Sequence, residues 1–173
     1  MSYNPYQNAI PTGTFELTSP DFASGGALPS TAWGSETTAG DSPALTWASL
    51  PENARGVLVT VFDADAPVPG GFWHWAVVVP ADGGGLAAGA GTPDGSRLPG
   101  GSTALSNSFG VAGYVGAQPP AGTGTHRYFV AATALDVASL DLPAETSLAM
   151  LHAAIIPHTL GRAVIVGTAA AAE

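Results

Sequence analysis

Cysteine is absent from the 173 residues of this chain, and so is lysine. The first absence excludes disulfide bonds, thiol catalysis and cysteine-ligated zinc. The second leaves four basic residues, all arginine, against thirteen acidic ones, for a formal net charge of −9. Such a surface disfavours nucleic acids and anionic membranes, which are bound through basic patches. An anionic ligand must therefore be held locally, by histidine, arginine or backbone N–H groups.

Long apolar runs are also absent, and none approaches the length of a membrane-spanning helix. The first thirteen residues lack the basic and apolar regions of a secretory signal, so we expect a cytoplasmic protein. An apolar content of 46% over this length fits one folded domain. We assign residues 14–168 to that domain, 1–13 to a flexible N-terminal arm and 169–173 to a frayed tail.

Short apolar and β-branched runs, separated by turns rich in glycine and proline, predict a mostly β sandwich. The predicted strands cover 14–18, 42–47, 57–62, 76–79, 125–135 and 162–168. One helix is predicted over 146–156, with Leu148, Leu151 and Ile155 on one face and Pro157 at its end. In the arm, Tyr3, Tyr6 and Ile10 are the residues that could dock it against the domain.

The most informative stretch is a strand, a rigid loop and a second strand. The first strand ends at Asp63, and His74 opens the second between Trp73 and Trp75. Because side chains alternate along a strand, both tryptophans are predicted to face opposite to His74, in the core. Each polar residue also has an ordinary structural interpretation: Asp63 as a turn residue and His74 as a core histidine with its hydrogen bonds satisfied.

A second polar segment, residues 113–128, favours a functional site over these structural interpretations. His126 and Tyr128 share one strand face, because the side-chain period is two, and Arg127 points the other way. The preceding loop is rich in glycine and proline, and its backbone N–H groups could line a cavity. Two histidines, a carboxylate and a phenol on neighbouring strand ends would form a compact polar pocket.

These segments resemble the signature motifs of the phosphatidylethanolamine-binding proteins, also called Raf kinase inhibitor-like proteins, in their short bacterial branch. The blocks that carry the resemblance are Asp63-Ala64-Asp65-Ala66-Pro67 with Phe72-Trp73-His74-Trp75, and Gly113-Tyr114-Val115-Gly116 through Pro119-Pro120 to His126-Arg127-Tyr128. Further matches extend over nearly the whole chain. The resemblance implies a two-sheet, mostly antiparallel β fold with one C-terminal helix, short helical turns and a pocket that binds anions, typically a phospholipid head-group phosphate.

Carried over by position, the resemblance implies ten ligand-binding residues. They are Asp63, Pro67, Phe72, His74, Val115, Gly116, Pro119, Pro120, His126 and Tyr128. The chain departs from the family pattern at Ala64, where proline is usual, at Ser108, where an acid is usual, and at Ala117-Gln118. Gln118 could narrow the cavity or add a hydrogen-bond donor. The extra C-terminal helix of larger members is expected to be absent.

Two hypotheses concern the carboxylates of the first block. Asp63 either accepts a hydrogen bond from a histidine ring and fixes its tautomer, or faces the ammonium end of an ethanolamine head group. Asp65 pairs with Arg127, because few cations exist in this chain to neutralise it. A cis peptide bond before Pro67 would fit the tight turn.

The sequence favours non-enzymatic binding of a small anion (phosphate, carboxylate or phosphoethanolamine), without metal or cofactor. It also favours a regulatory role toward another protein. The alternative is an inhibitor or scaffold of a kinase or protease, acting through the glycine-rich loop 83–101 as an exposed surface segment. A hydrolase using an Asp/His pair is disfavoured, since neither Gly-x-Ser-x-Gly nor His-Glu-x-x-His occurs. The resemblance also implies a homodimer.

Overall fold

The structure, a computed structural model, describes residues 3–35, 37–143 and 146–171. Its strands are β1 (Glu16–Thr18), β2 (Leu45–Ala48), β3 (Gly56–Asp63), β4 (Phe72–Pro80), β5 (Gly85–Leu86), β6 (Thr103–Ala104), β7 (Thr125–Leu135) and β8 (Thr159–Ala170). Helix α1 (Leu148–Ala154) lies between β7 and β8, and short 3-10 turns cover Ser30–Ala32, Ala81–Gly83 and Ile156–His158.

These strands form two antiparallel sheets in the described part of the chain. The smaller sheet has the order β1-β2-β5, and the larger has the order β6-β4-β3-β7-β8. The predicted fold class, a mostly β two-sheet architecture with one C-terminal helix and short helical turns, is confirmed. The predicted limits of β7 agree with the structure, because that strand is a regular eleven-residue run between a glycine and an acid.

The larger sheet divides the apolar core into two layers. Between the two sheets lies the main cluster, which includes Val59, Val61 and Trp75. On the opposite face, Leu58 and Val78 pack beneath α1. Strand β3 is central and covered on both sides, so all eight of its residues are buried, which explains why only Thr60 and the terminal Asp63 are polar.

Helix α1 begins after Ser147, whose hydroxyl accepts a hydrogen bond from the Met150 N–H at 3.2 Å. It ends before Pro157, which lies in the following 3-10 turn. The predicted apolar face is confirmed, since Leu148, Leu151 and Ile155 are all buried. Of the helices in the described residues, none has the length and apolarity needed to cross a bilayer.

We expect Leu151→Ala to destabilise the protein by about 2–5 kcal/mol, because a fully buried leucine leaves a cavity when it is truncated. The matched control is Met150→Ala in the same helix, where the side chain is 62% exposed and the change should stay within about 0.5 kcal/mol. Urea unfolding of both variants measures the difference. Equal losses would mean that α1 does not cover the sheet as described.

The C-terminal strand extends beyond its predicted end. Ala169 and Ala170, which the sequence assigned to a frayed tail, pair with His126 and Thr125 at the start of β7. Ala169 is also buried. The pairing holds them because β7 is long enough to offer a partner to the alanines, whereas their weak strand preference alone predicts fraying. The last two residues of that tail lie outside the described residues.

The glycine-rich stretch 81–101, predicted as a long surface excursion, is partly built into the fold. Its strand β5 pairs with β2, and Leu86 and Ala90 are buried. Gly85 permits this pairing, because a Cβ there would overlap the carbonyl oxygen of Leu45. Only parts of the loop are therefore exposed.

The N-terminal arm is docked through Tyr6. The Tyr6 ring lies 6.4 Å from the Phe129 ring, and its hydroxyl lies 3.3 Å from the hydroxyl of Thr60. Tyr3 and Ile10, the other two candidates, are 62% and 55% exposed. Tyr6 thus holds the arm against the outer face of the larger sheet, and at the end of the arm the Gly13 carbonyl accepts from the Arg162 backbone N–H at 2.9 Å.

Candidate functional site

The polar residues of both sequence blocks meet at one end of the larger sheet. Asp63 ends the central strand β3, and its neighbours across the two adjacent strands are Phe72 on β4 and Tyr128 on β7. The register therefore brings a carboxylate, an aromatic ring and a phenol together. His74 and His126 lie two residues from these pairing positions and complete the group.

A β-bulge aims His74 into this group. Val61 pairs with Trp75 and Phe62 pairs with Trp73, so His74 lies between two paired residues without a partner of its own. A bulge of this kind redirects the side chains on either side of it. Trp75 accordingly lies in the core between the sheets, whereas Trp73 packs on the face that carries α1. The prediction that both tryptophans share the face opposite to His74 is wrong for this reason.

The tautomer of His74 is set by a backbone contact. Its Nδ1 lies 2.6 Å from the carbonyl oxygen of Val115, which can only accept, so Nδ1 carries the proton. Burial lowers the pKa of His74, although the Val115 contact opposes this effect. The neutral ring then presents Nε2 as a hydrogen-bond acceptor beside the Tyr128 ring, whose centre is 5.1 Å away.

His126 is held between an acid and a hydroxyl. Its Nδ1 lies 2.7 Å from Oδ2 of Asp63, and its Nε2 lies 2.8 Å from the hydroxyl oxygen of Thr123. The Thr123 hydroxyl donates to the carbonyl oxygen of Pro120 at 2.6 Å. The His126 ring is therefore fixed on both sides, by the Asp63 carboxylate at Nδ1 and by Thr123 at Nε2.

The hypothesis that Asp63 accepts a hydrogen bond from a histidine ring is confirmed, and the ring is that of His126. The other Asp63 oxygen accepts from the backbone N–H of Asp65 at 2.9 Å. Both carboxylate oxygens therefore already have protein donors. An ammonium group of a ligand would have to share them, which makes the alternative role for Asp63 less favourable.

The Tyr128 hydroxyl is a hydrogen-bonding group without a partner. The residue is fully buried, and its oxygen makes no hydrogen bond of good geometry to the described residues, although Asp63 and the Gln118 backbone lie close enough to affect its pKa. Burial, with the nearby Asp63 charge as the next cause, raises the pKa of Tyr128, so the phenol keeps its proton. A buried donor without a partner costs free energy unless a ligand or water satisfies it.

The loop before β7 is held against the site by backbone contacts. The N–H of Val115 donates to the carbonyl of His74 at 2.9 Å. Gly116 lies so close to the backbone of Gly34 that any Cβ there would overlap it. On the other side, the Ser108 hydroxyl accepts from the Trp73 N–H at 2.8 Å. Serine at this position, where the family pattern has an acid, thus anchors a neighbouring loop to the start of β4.

A cavity of about 210 Å³ opens between these groups. Its lining residues are Asp63, Ala66, Pro67, Val68, Phe72, His74, Phe109, Val115, Gly116, Gln118, Pro120, His126 and Tyr128. Nine of the ten residues named from the sequence lie in this lining. Pro119 is the exception: it is buried behind the loop, while its neighbours on either side reach the cavity. The Ala66–Pro67 peptide bond, whose isomer the sequence left open, is trans.

Sequence reasoning did not identify four contributors. Ala66 and Val68 flank a proline that was named, and adjacency alone would have suggested them. Phe109 packs edge-on against Phe72 with ring centres 4.8 Å apart, a contact between distant segments that no local pattern reveals. Thr123 was also missed, although a threonine three residues before a histidine is a local signal for a side-chain hydrogen bond.

The described residues contain no cluster of three histidine, aspartate or glutamate side chains arranged to hold a metal ion. The second acid of the first block has a structural partner instead. Asp65 accepts two hydrogen bonds from the Arg127 guanidinium, each 2.7 Å long, and one from its backbone N–H at 2.9 Å. The predicted pair is confirmed. It fixes the turn after β3 to the start of β7.

We expect Arg127→Met and Asp65→Asn each to lower the free energy of unfolding by about 1 kcal/mol. This is less than a buried charged hydrogen bond contributes, because both side chains are partly exposed. The hydrogen bonds from Arg127 lower the pKa of Asp65. The stabilisation by this pair should therefore be complete above about pH 4, which is near the pKa of Asp65 in the unfolded chain. It should decline as the pH falls through the lower pKa that Asp65 has in the folded protein. Melting curves from pH 3 to pH 7 measure this.

The exposed Arg55 provides the matched control, since Arg55→Met removes the same charge without breaking this pair. Arg127→Met should leave phosphate binding within about twofold of the wild type, because the guanidinium lies outside the cavity lining. A variant that lost ligand affinity but kept its melting temperature would contradict the structural role.

Comparison with known proteins identifies the family. The family model described as phosphatidylethanolamine-binding protein matches residues 18–170. The chain belongs to the phosphatidylethanolamine-binding protein family. It is similar to two Escherichia coli proteins: YbcL, at 41% identity over 64% of this chain and 61% of that protein, and YbhB, at 39% identity over 72% and 78%.

The fold comparison agrees with this assignment. The crystal structure of E. coli YbcL, described as a new member of the mammalian family, superposes with a TM-score of 0.85 and 33% identity, covering 92% of this chain and all of that one. LppC of Mycobacterium tuberculosis, which is named as a lipoprotein, is 38% identical over 88% of this chain and 70% of its own length. The aligned part of YbcL is less than two thirds of its sequence.

Proposed function

We propose that this protein is a non-enzymatic binding protein whose cavity at the end of the larger sheet takes a small anion, of the phosphate or phosphoethanolamine type. The observation that carries the proposal is the Tyr128 hydroxyl, a buried donor without a partner in the cavity wall. An anionic oxygen is the group that such a donor would bind most strongly. Membership of a family named for binding a phospholipid supports the same assignment.

The size of the cavity limits the ligand. About 210 Å³ is below the range typical of pockets for drug-sized molecules, so a phosphate or a short head group fits and an acyl chain does not. The negative surface of the protein, with a net charge of −9, also opposes docking on an anionic bilayer. These features favour a free phosphorylated molecule over a lipid held in a membrane.

The charge arrangement in the wall is compatible with an anion. Asp63 would repel one if it stood alone, but both of its carboxylate oxygens already accept hydrogen bonds, from the His126 ring and from the Asp65 N–H. The donors left for the ligand are the Tyr128 hydroxyl, the side-chain amide of Gln118 and, when protonated, His74. We therefore assign Tyr128 and His74 to direct contact with the ligand, and Asp63 and His126 to positioning.

We expect phosphate and phosphoethanolamine to stabilise the wild type, and Tyr128→Phe to weaken that binding at least about tenfold, as expected for loss of a hydrogen bond to a charged group. Ligand at about a hundred times its dissociation constant should add about 2.7 kcal/mol, or roughly 5–10 °C in the melting temperature. The melting temperature without ligand should not fall in Tyr128→Phe, because the hydroxyl makes no protein hydrogen bond.

Tyr114→Phe is the matched control for this experiment. The Tyr114 hydroxyl donates to the carbonyl of Ala32 at 2.9 Å and lies outside the cavity lining. Its removal should cost about 1 kcal/mol of stability and leave phosphate binding unchanged. If no anion shifts the wild-type melting temperature, the proposal fails.

Sulfate and phosphate should differ in their pH dependence. Because burial lowers the pKa of His74, the ring is neutral near pH 7 and its Nε2 can only accept. Phosphate carries a proton that it can donate to Nε2. Sulfate carries none near neutral pH, so it can bind at Nε2 only when the ring is protonated. From pH 6 to pH 8 we expect sulfate affinity to fall by up to about a hundredfold, since one bound proton corresponds to tenfold per pH unit. Phosphate affinity should change by less than about tenfold.

Calorimetric titration at pH 6, 7 and 8 measures the two slopes. In His74→Gln, which keeps a polar side chain but cannot titrate, the steep pH dependence of sulfate binding should disappear. Parallel slopes for the two anions in the wild type would contradict the acceptor role of Nε2.

The remaining functional assignments are predictions from the sequence and the family resemblance. They are the absence of catalysis, the cytoplasmic location, the homodimer and the regulatory role toward a protein partner. One relative is named a lipoprotein, and that name fits membrane attachment better than the predicted cytoplasmic location. The inhibitor alternative required an exposed loop, and the burial of Leu86 and Ala90 reduces the surface that this loop offers.

A further inference from the structure

A second cavity, of about 690 Å³, lies on the opposite face of the larger sheet. Its floor includes Phe62 and Trp73, the residues next to Asp63 and His74 that point away from the first site. Helix α1 and the start of β8 form one side. The N-terminal arm, residues 3–12, forms the other. This volume is typical of pockets that hold small organic molecules.

The arginine in this cavity has unused hydrogen-bonding capacity. Arg162 donates from Nε to the Thr133 hydroxyl at 3.2 Å, and its guanidinium carbon lies 5.5 Å from the centre of the Tyr6 ring. Within the described residues, no carboxylate lies within 4 Å of it, and its two terminal nitrogens donate no hydrogen bond. In a chain with only four cations and a charge of −9, one of them thus stands half-buried in a cavity wall without an acid.

His152 also lines the cavity, and it carries no negative charge that could pair with Arg162. His152 donates from Nδ1 to the carbonyl of Leu148 at 2.7 Å, and its ring stacks on Trp73 with centres 4.6 Å apart. Burial lowers the pKa of His152, and the Arg162 charge acts in the same direction. Tyr6 is kept neutral in the same way, because burial raises its pKa. Arg162 is therefore the one charged group that faces this cavity from the described residues that line it.

The rest of the wall is apolar or aromatic. Tyr3, Ile10 and Ile156 line the cavity and are each more than half exposed, so apolar surface faces an open space there. Phe62 and Trp73 add flat ring surface, with centres 4.4 Å apart. Burial of such surface against a ligand would be favourable.

We propose that this second cavity binds a small amphiphilic carboxylate, with its two oxygens on Arg162 and its acyl or aryl body against the aromatic floor. A guanidinium presents parallel N–H donors that match a carboxylate, which distinguishes this head group from a neutral alcohol. The site is separate from the anion site, because the sheet lies between them. It also depends on residues 3–12, which precede the first residue matched by the family model.

Chain length provides the first test. In calorimetric titrations at pH 7.5, the affinity should rise about threefold to fourfold for each methylene added from hexanoate to decanoate, as expected when each buried methylene contributes its usual transfer free energy. Decanol, which has the same body without the charge, should bind at least about tenfold more weakly than decanoate. Failure of decanoate to bind at millimolar concentration would overturn the proposal.

Two variants locate the binding. Arg162→Met keeps the length of the side chain and should abolish the preference for decanoate over decanol. Since this change also removes the contacts with Tyr6 and Thr133, a second variant acts from the other wall: Ala149→Trp, at an exposed position of α1 that lines the cavity, should block both ligands without disturbing the sheet. Arg55→Met is the control for charge and should leave decanoate affinity within about twofold.

The outcomes separate this site from the other one. His74→Ala should leave decanoate binding unchanged, and loss of binding in that variant would show that the carboxylate enters the first cavity, which overturns the proposal. Decanoate binding that survives Ala149→Trp would overturn it as well. Sedimentation of the protein without ligand tests the remaining occupant, a second copy of the chain: self-association that Ala149→Trp abolishes would show that this cavity is an interface instead.

Discussion

The register shift between β3 and β4 is the constraint on which both cavities depend. Because His74 has no partner on β3, the side chains before and after it fall on opposite faces of the sheet. Trp75 fills the core between the sheets, and Trp73 becomes the floor of the cavity beneath the arm. His74 itself is turned toward Tyr128 at the sheet end. Regular pairing would place both tryptophans on one side and leave one of the two cavities without its wall.

The scarcity of positive charge determines how this chain can recognise an anion. Of the few cations, Arg127 is used to secure the turn after β3, and none lines the smaller cavity. Recognition there must rely on neutral donors and on the hydrogen bonds that the His126 ring and the Asp65 N–H make to the Asp63 carboxylate. Such a site selects ligands by the protons they carry as much as by their charge. The buried groups of the wall, His126 and Tyr128, lie where hydrogen bonds are poorly screened by water.

Much of the fold and the smaller cavity could be predicted because the informative signals are local. His126 and Tyr128 follow from simple alternation on a regular strand, and the face of α1 follows from helical spacing. The errors share a different origin. The orientation of Trp73 depends on a bulge that only the partner strand defines, and the pairing of Ala169 depends on how far β7 extends. Pro119 falls outside the lining because of how a loop lies on the sheet, which spacing along the chain does not encode.

The two cavities also differ in what family membership can explain. The smaller one is built from segments that all lie within the matched residues 18–170, so the resemblance could name most of its wall in advance. The larger one requires the arm, which is held by the contact of Tyr6 with Phe129 and by the position of its ring beneath Arg162. An arginine placed over a tyrosine needs no ligand to be stable, since that contact is itself attractive. This contact does not explain why the terminal N–H groups of Arg162 face no carboxylate, beside a cavity large enough to hold a ligand that carries one.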